Sequence, residues 1–305
     1  MSAPRLQARE PLLGHTRRVS SVALTADGAR VLSGSLDREL RLWDVGEGGC
    51  AKVLVGETSD VNAVALSPDG RVAVSGSGEM TLKAGLARVW DVTTGKPLRE
   101  LAGHEGEVSA MALDARRGRV ATGGADDTVR VWELESGRCL RVLKGHDGWV
   151  RAIAFTADGT RALSGGMDGT VRVWDTDGGT LLRTLSGHAD KIYAVAPSPD
   201  GQWALSGAKD QKLRLWNLGS GECVRVLEGH EGVVRGVAFL PDRRFALSAG
   251  EDKTLRLWEL ETGRCVATEA TSGAALCLSV SADGRRAAVG TYDRKVLVWD
   301  VSRPA

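Results

Sequence analysis

The chain has 305 residues, 42% of them hydrophobic and 26% charged, with a formal net charge of +1. That composition is globular and excludes a disordered chain, and the near-zero charge disfavours general nucleic-acid binding, which needs a basic stripe to neutralise phosphates. No apolar run reaches membrane-spanning length and the first residues, MSAPRLQAREPLLGH, lack an apolar signal core, so secretion and membrane insertion are disfavoured too.

The chain opens with RLQAREPLL (5–13), a strand-like stretch that runs into a glycine-histidine pair, Gly14-His15. Four further runs follow: VSSVAL (19–24), RVLSGS (30–35), ELRLWDV (39–45) and AKVLVG (51–56). Each alternates or clusters apolar residues over a strand's length. Turn signals separate them, such as Ala26-Asp27-Gly28, where glycine can take a positive φ. The same turn recurs as Pro68-Asp69-Gly70, Ala157-Asp158-Gly159, Pro199-Asp200-Gly201 and Ala282-Asp283-Gly284. A second segment repeats the plan with about five extra residues, placed at Gly78 to Leu86 (GEMTLKAGL) between its second and third strands. Met80, Leu82 and Leu86 are unusual for a solvent loop, so this insertion either joins a binding site or fills space. No helical periodicity of useful length appears.

The period is strict. All five histidines follow glycine, and His104, His146, His188 and His230 are each 42 residues apart. Seven tryptophans form a second series at Trp43, Trp90, Trp132, Trp174, Trp216, Trp258 and Trp299. Every histidine precedes its tryptophan by 28 residues. Four strands per period make one small antiparallel sheet that is not stable alone. Stacking such sheets round an axis buries both faces of each. The predicted fold is therefore all-β: a single seven-bladed propeller over 1–305, with four-stranded antiparallel blades. The blades run over about 17–56, 59–102, 106–144, 148–186, 190–228, 232–270, and 273–301 plus 5–13. The last repeat lacks its own fourth strand, so residues 5–13 are expected to complete blade seven and close the ring.

Five cysteines are an odd number. Cys50, Cys139, Cys223 and Cys265 share one Gly-x context in separate repeats, which suggests buried small side chains at strand starts. No CxxC pair exists, so the sequence calls for neither a metal nor a cofactor. A reduced, cytoplasmic setting fits best.

Glycine-histidine near the start of each repeat and Trp-Asp at the end of its third strand resemble the WD-repeat (WD40) family. The pair stands as Trp43-Asp44, Trp90-Asp91, Trp174-Asp175 and Trp299-Asp300, and drifts to Trp132-Glu133, Trp216-Asn217 and Trp258-Glu259. The likeness covers about residues 6–301. It is specific for fold and weak for function, because this fold serves many partners.

Five repeats carry His, a hydroxyl, Asp and Trp at fixed offsets. The sets are His15, Ser33, Asp37, Trp43; His104, Thr122, Asp126, Trp132; His146, Ser164, Asp168, Trp174; His188, Ser206, Asp210, Trp216; and His230, Ser248, Asp252, Trp258. A hydrolase triad would need an exposed nucleophile and an oxyanion hole. Five copies in one context argue for scaffold, and the resemblance implies a buried network in which Asp holds the imidazole and the hydroxyl bridges it to the indole. Repeat two has Glu57 for the histidine and Ala84 six residues before Trp90; repeat seven has Val289 for the hydroxyl and no histidine near Thr271 or Ser272. Both blades are expected to be softer.

In this family, partner contacts recur three and five residues after the histidine and just before the aspartate. Those positions here include Arg18, Trp149, Arg151, Met167, Lys191, Tyr193, Lys209, Arg235 and Tyr292. Both tyrosines of the chain and a tryptophan outside the structural series fall on them, and such residues dominate hot spots. Arg151, Lys191, Lys209 and Arg235 suggest a basic arc over blades four to six. Trp203, at the start of a second strand, reads as packing. The expectation is a non-enzymatic scaffold that binds a protein or peptide with acidic and apolar elements on its top rim. The alternative is a recognition or regulatory subunit of a multiprotein signalling enzyme complex. A propeller enzyme has no spare histidine, and a nucleic-acid binder lacks the charge.

Overall fold

The computed structural model describes residues 4–79 and 85–302. They form seven separate antiparallel sheets. Blade one runs Val19–Leu24, Arg30–Ser35, Leu40–Asp44 and Gly49–Leu54, from the axis outward. Its fourth strand starts two residues before the apolar run that predicts it. The turn closes at Gly48 (φ +71), whose N–H bonds to the Asp44 carbonyl at 3.0 Å, and pairing resumes at once. The glycines of the Asp-Gly turns sit at φ +66 to +70, a region closed to most side chains. Of the blade-two insertion, Met80, Leu82 and Ala84 lie outside the described residues. Leu86 opens the third strand of that blade and is half-buried. Among the described residues no helix is long and apolar enough to cross a membrane.

Each seam between neighbouring blades is one apolar cluster. Leu213, Leu215 and Leu227 of blade five pack with Val234, Val237 and Trp258 of blade six. All seven series tryptophans are almost completely buried. A sheet that buries both faces loses that stability if either neighbour is absent, so closure matters. Closure comes from the N-terminus, as the sequence predicts. Arg5–Ala8 and Leu12–Leu13 both pair with the long strand Lys295–Ser302. Leu12 joins Val19, Val31, Trp43 and Val298 in the last seam, and Arg9 Nε bonds to Asp300 at 2.8 Å.

One irregularity recurs in every blade. The innermost strand slips register once, skipping Ser20, Asn62, Ser109, Arg151, Tyr193, Arg235 and Leu276 in turn. An extra residue in one strand of a pair re-aims its side chain. Here all seven bulge residues line the axial channel.

The cysteines depart from expectation. Cys139 and Cys223 begin fourth strands and Cys50 and Cys265 stand second in theirs, but Cys50 is exposed and the other three are half-buried. The fourth strand is the outer edge of its blade, with solvent on one side, so a strand start there is not a core position. Only Cys277, on an innermost strand, has a sequestered thiol, which burial pushes up to about 12.

Candidate functional site

The five histidine sets are hydrogen-bonded chains. Histidine Nδ1 lies 2.8–3.0 Å from the aspartate and Nε2 lies 2.6–2.7 Å from the hydroxyl. The indole N–H donates to that same hydroxyl at 2.7–2.8 Å. Each aspartate also accepts the backbone N–H after the histidine, as Asp37 does from Thr16 at 2.8 Å. Burial pushes the Asp37 carboxyl up, but bonds from His15 and Thr16 outweigh it and hold the group at about 2. Asp126 and Asp168 are held well below the carboxylate range by the same balance. Burial lowers His188 and His230 against the pull of their aspartates. In the His188 and His230 chains a neutral imidazole beside the carboxylate fixes the direction: indole to hydroxyl, hydroxyl to Nε2, Nδ1–H to carboxylate. Every buried polar group is then satisfied. The serine and threonine hydroxyls are inside, with residue exposures of 0%, so none is an available nucleophile. His15, Asp37 and Glu39 bring possible ligand atoms within 4.8 Å. The first two are committed to the chain just described, and Glu39 pairs with Arg41 at 2.7 Å.

A periodic arginine belongs to the same unit and escaped the sequence reading. It lies two residues before the tryptophan in six blades: Arg41, Arg88, Arg130, Arg172, Arg214 and Arg256. Arg130, Arg172 and Arg256 face their aspartates at 3.7–3.8 Å. The arginine and indole together explain the glycine before histidine. A Cβ on Gly14 would lie 2.3 Å from Arg41 Nη1 and 3.2 Å from Trp43 Cη2.

Blade two, where the sequence puts Glu57 in place of the histidine, uses this arginine to fill the gap. Glu57, whose side chain has 0% exposure, pairs with Arg88 at 2.6 Å and accepts from the Ser75 hydroxyl. Trp90 still donates to Ser75 at 2.8 Å. Blade seven instead replaces the set with apolar residues: Val289 for the hydroxyl, Leu297 for the arginine, Ala270 for the glycine. The indole N–H of Trp299 and Oδ1 of Asp293 are left buried without partners.

On the rim, Arg18, Arg151, Tyr193 and Arg235 line the mouth of the channel, a cavity of about 240 Å³. Trp149, Met167, Lys191, Lys209 and Tyr292 do not line it. Three arginines stack on aromatic rings: Arg235 lies 4.0 Å from the Tyr193 centroid, Arg151 4.8 Å from Trp149 and Arg18 5.9 Å from Tyr292. Such stacks fix long cations in place. The free basic arc over blades four to six is corrected. Arg151 pairs with Glu107 at 2.9 Å, Arg235 with Glu251 at 2.6 Å and Lys209 with Asp190 at 3.5 Å. Partners from adjacent blades and loops neutralise three of its four cations. Among the described residues, Arg18 and Lys191 have no ion pair. The larger opening, about 430 Å³, lies over blades one to three instead, between Arg18, Leu36, Asn62 and Glu107. There the bulge residues Ser20, Asn62 and Ser109 are small.

The family model described as WD domain, G-beta repeat matches the chain seven times, at residues 7–44, 48–91, 95–133, 137–175, 179–217, 221–259 and 263–300. Each match takes in the fourth strand of one blade and ends on the third strand of the next. No match was found among the curated proteins. With seven matches spread over nearly its whole length, the chain belongs to the WD-repeat family.

Proposed function

We propose that this propeller is a non-enzymatic interaction scaffold that holds a peptide or loop of a partner protein over the channel mouth. Support comes from the division of labour among its polar residues. All five histidines are tied into buried chains, while three arginine–aromatic stacks ring the opening. Rigid aromatic and arginine side chains at a concave opening are what protein recognition uses. The partner carries an apolar element for Leu36 and Leu276 and an acidic element for Arg18. Its main seat is over blades one to three, against the wall of Arg151, Tyr193 and Arg235. The five thiols are free, which agrees with a cytoplasmic setting. Replacing Trp149, Tyr193 and Arg235 together with alanine should abolish capture of partners purified from the native cell and leave the melting temperature unchanged. Capture that survives the triple change, and survives Arg18→Ala with Leu36→Ala as well, would remove this rim as the binding surface.

A further inference from the structure

Seven similar blades supply their own reference, so a position that departs from its equivalents needs a separate cause. At the start of the second strand four blades carry arginine: Arg30, Arg119, Arg161 and Arg286. Two of these reach the next blade. Arg119 pairs with Asp177 at 2.6 Å, and Arg286 donates to the Gly28 carbonyl at 2.7 Å. They tie the seam shut on the face opposite the histidine loops. Blade five has Trp203 there, half-buried. Between it and blade six lies an open cleft of about 530 Å³, floored by Trp203, Leu215, Phe239 and Leu260. Val224, 44% exposed, forms its outer lip.

A second departure faces the same cleft. Where the other six blades have a glycine of positive φ in the first turn, blade six has Arg243 at φ +59, a conformation that a side chain disfavours. Arg243 bonds across to Asp200 of blade five, framing the cleft. Arg225, from the fourth strand of blade five, donates only to the Thr262 carbonyl at 3.3 Å and joins no ion pair among the described residues. Asp242 and Glu261 also line the walls, which argues against a polyanion such as nucleic acid. An apolar floor with a half-buried indole, beside a cation that has no ion pair among the described residues, fits a short acidic-apolar sequence.

We infer that this cleft is a second docking site, for an extended segment of a partner protein that seats one apolar side chain against Trp203 and an adjacent carboxylate on Arg225. It lies opposite the channel mouth, so both can be occupied at once and the propeller can bridge two partners. The test pans a random dodecapeptide phage library on the full chain and counter-selects on Trp203→Arg, a residue four blades already carry at this position. Selected peptides should share an apolar residue next to Asp or Glu. A synthetic copy should bind at least tenfold more weakly to Trp203→Arg and to Arg225→Gln. Its Asp→Asn version should lose affinity for the wild type and lose nothing further on Arg225→Gln. The rim triple variant should bind as the wild type does, which separates this site from the one proposed above. Val224→Glu, on the exposed lip, gives the same loss by repelling the carboxylate and cannot unfold the core. The inference is overturned if no peptide distinguishes the variants, if the selected peptides are basic, or if sedimentation shows wild-type chains pairing through Trp203.

Discussion

Trp299 is buried with its indole N–H unpartnered because Val289 stands where the six other blades have a serine or threonine that accepts the indole. Val289→Thr should therefore stabilise the protein. Thr122 is the template: it occupies the equivalent strand position and accepts the Trp132 N–H at 2.8 Å. An orphaned buried donor costs about 1–3 kcal/mol, and burying a new hydroxyl takes back part of the gain. The net expectation is about 0.5–1.5 kcal/mol, or roughly 1–2 °C in melting temperature for a chain of this size. The control is Val31→Thr, at a position equally buried and with no orphaned donor to serve. It should lose about 1–3 kcal/mol. Denaturant midpoints of the two variants beside the wild type decide the matter by sign. If Val289→Thr destabilises as much as Val31→Thr, the unpartnered indole is not a defect of blade seven and the reasoning fails.

Glu57→Ala should cost about 3 kcal/mol by denaturant midpoint, because it strands Arg88 in a seam with only Glu100 left at 3.0 Å; a loss under about 0.5 would show that the pair is not structural. Deleting residues 1–13 removes both strands that pair with Lys295–Ser302 and should lower stability by about 5 kcal/mol or more, summing Leu12 and the lost backbone bonds; an unchanged melting temperature refutes the closure. Stability should fall as pH drops below about 6.5, because unfolded histidines take up protons that His188 and His230 refuse while folded. A second decline should begin below about 3.9, where the unfolded aspartates protonate while Asp37, Asp126 and Asp168 still hold their charge. Midpoints that stay flat from pH 7 to 5 would contradict the first step.

Blade number, the histidine chains and ring closure were legible because each repeats at a fixed interval or is the one gap in a repeat. The arginine two residues before six of the seven tryptophans is as regular, and an alignment of the seven segments would have found it. Its role in blade two was harder to see. Glu57 and Arg88 are 31 residues apart, and only the fold shows that the guanidinium reaches the empty histidine place. The rim charges misled for a related reason. Arg151 and Glu107 belong to different blades, and a linear reading assigns both to solvent. The four repeat cysteines were misjudged because a strand start says nothing about whether the strand is the inner or outer one. Trp203 was read as packing, and it does pack on Phe239 and Leu260. That its other side is open depends on an arginine being absent, which no single repeat reveals.

Arg9 and Asp300, which meet in the last seam, are 291 residues apart in the chain. During synthesis the earliest strands emerge first and have nothing to pair with until the last ones leave the ribosome. At about 5–20 residues per second that wait is on the order of 15–60 s. Throughout it, blade one presents an uncovered apolar face and the opening segment is a loose β-strand, both open to association with other nascent chains. High expression at elevated temperature should therefore be limited by capture of this waiting intermediate, and by the supply of chaperones that shield it, more than by the stability of the finished ring.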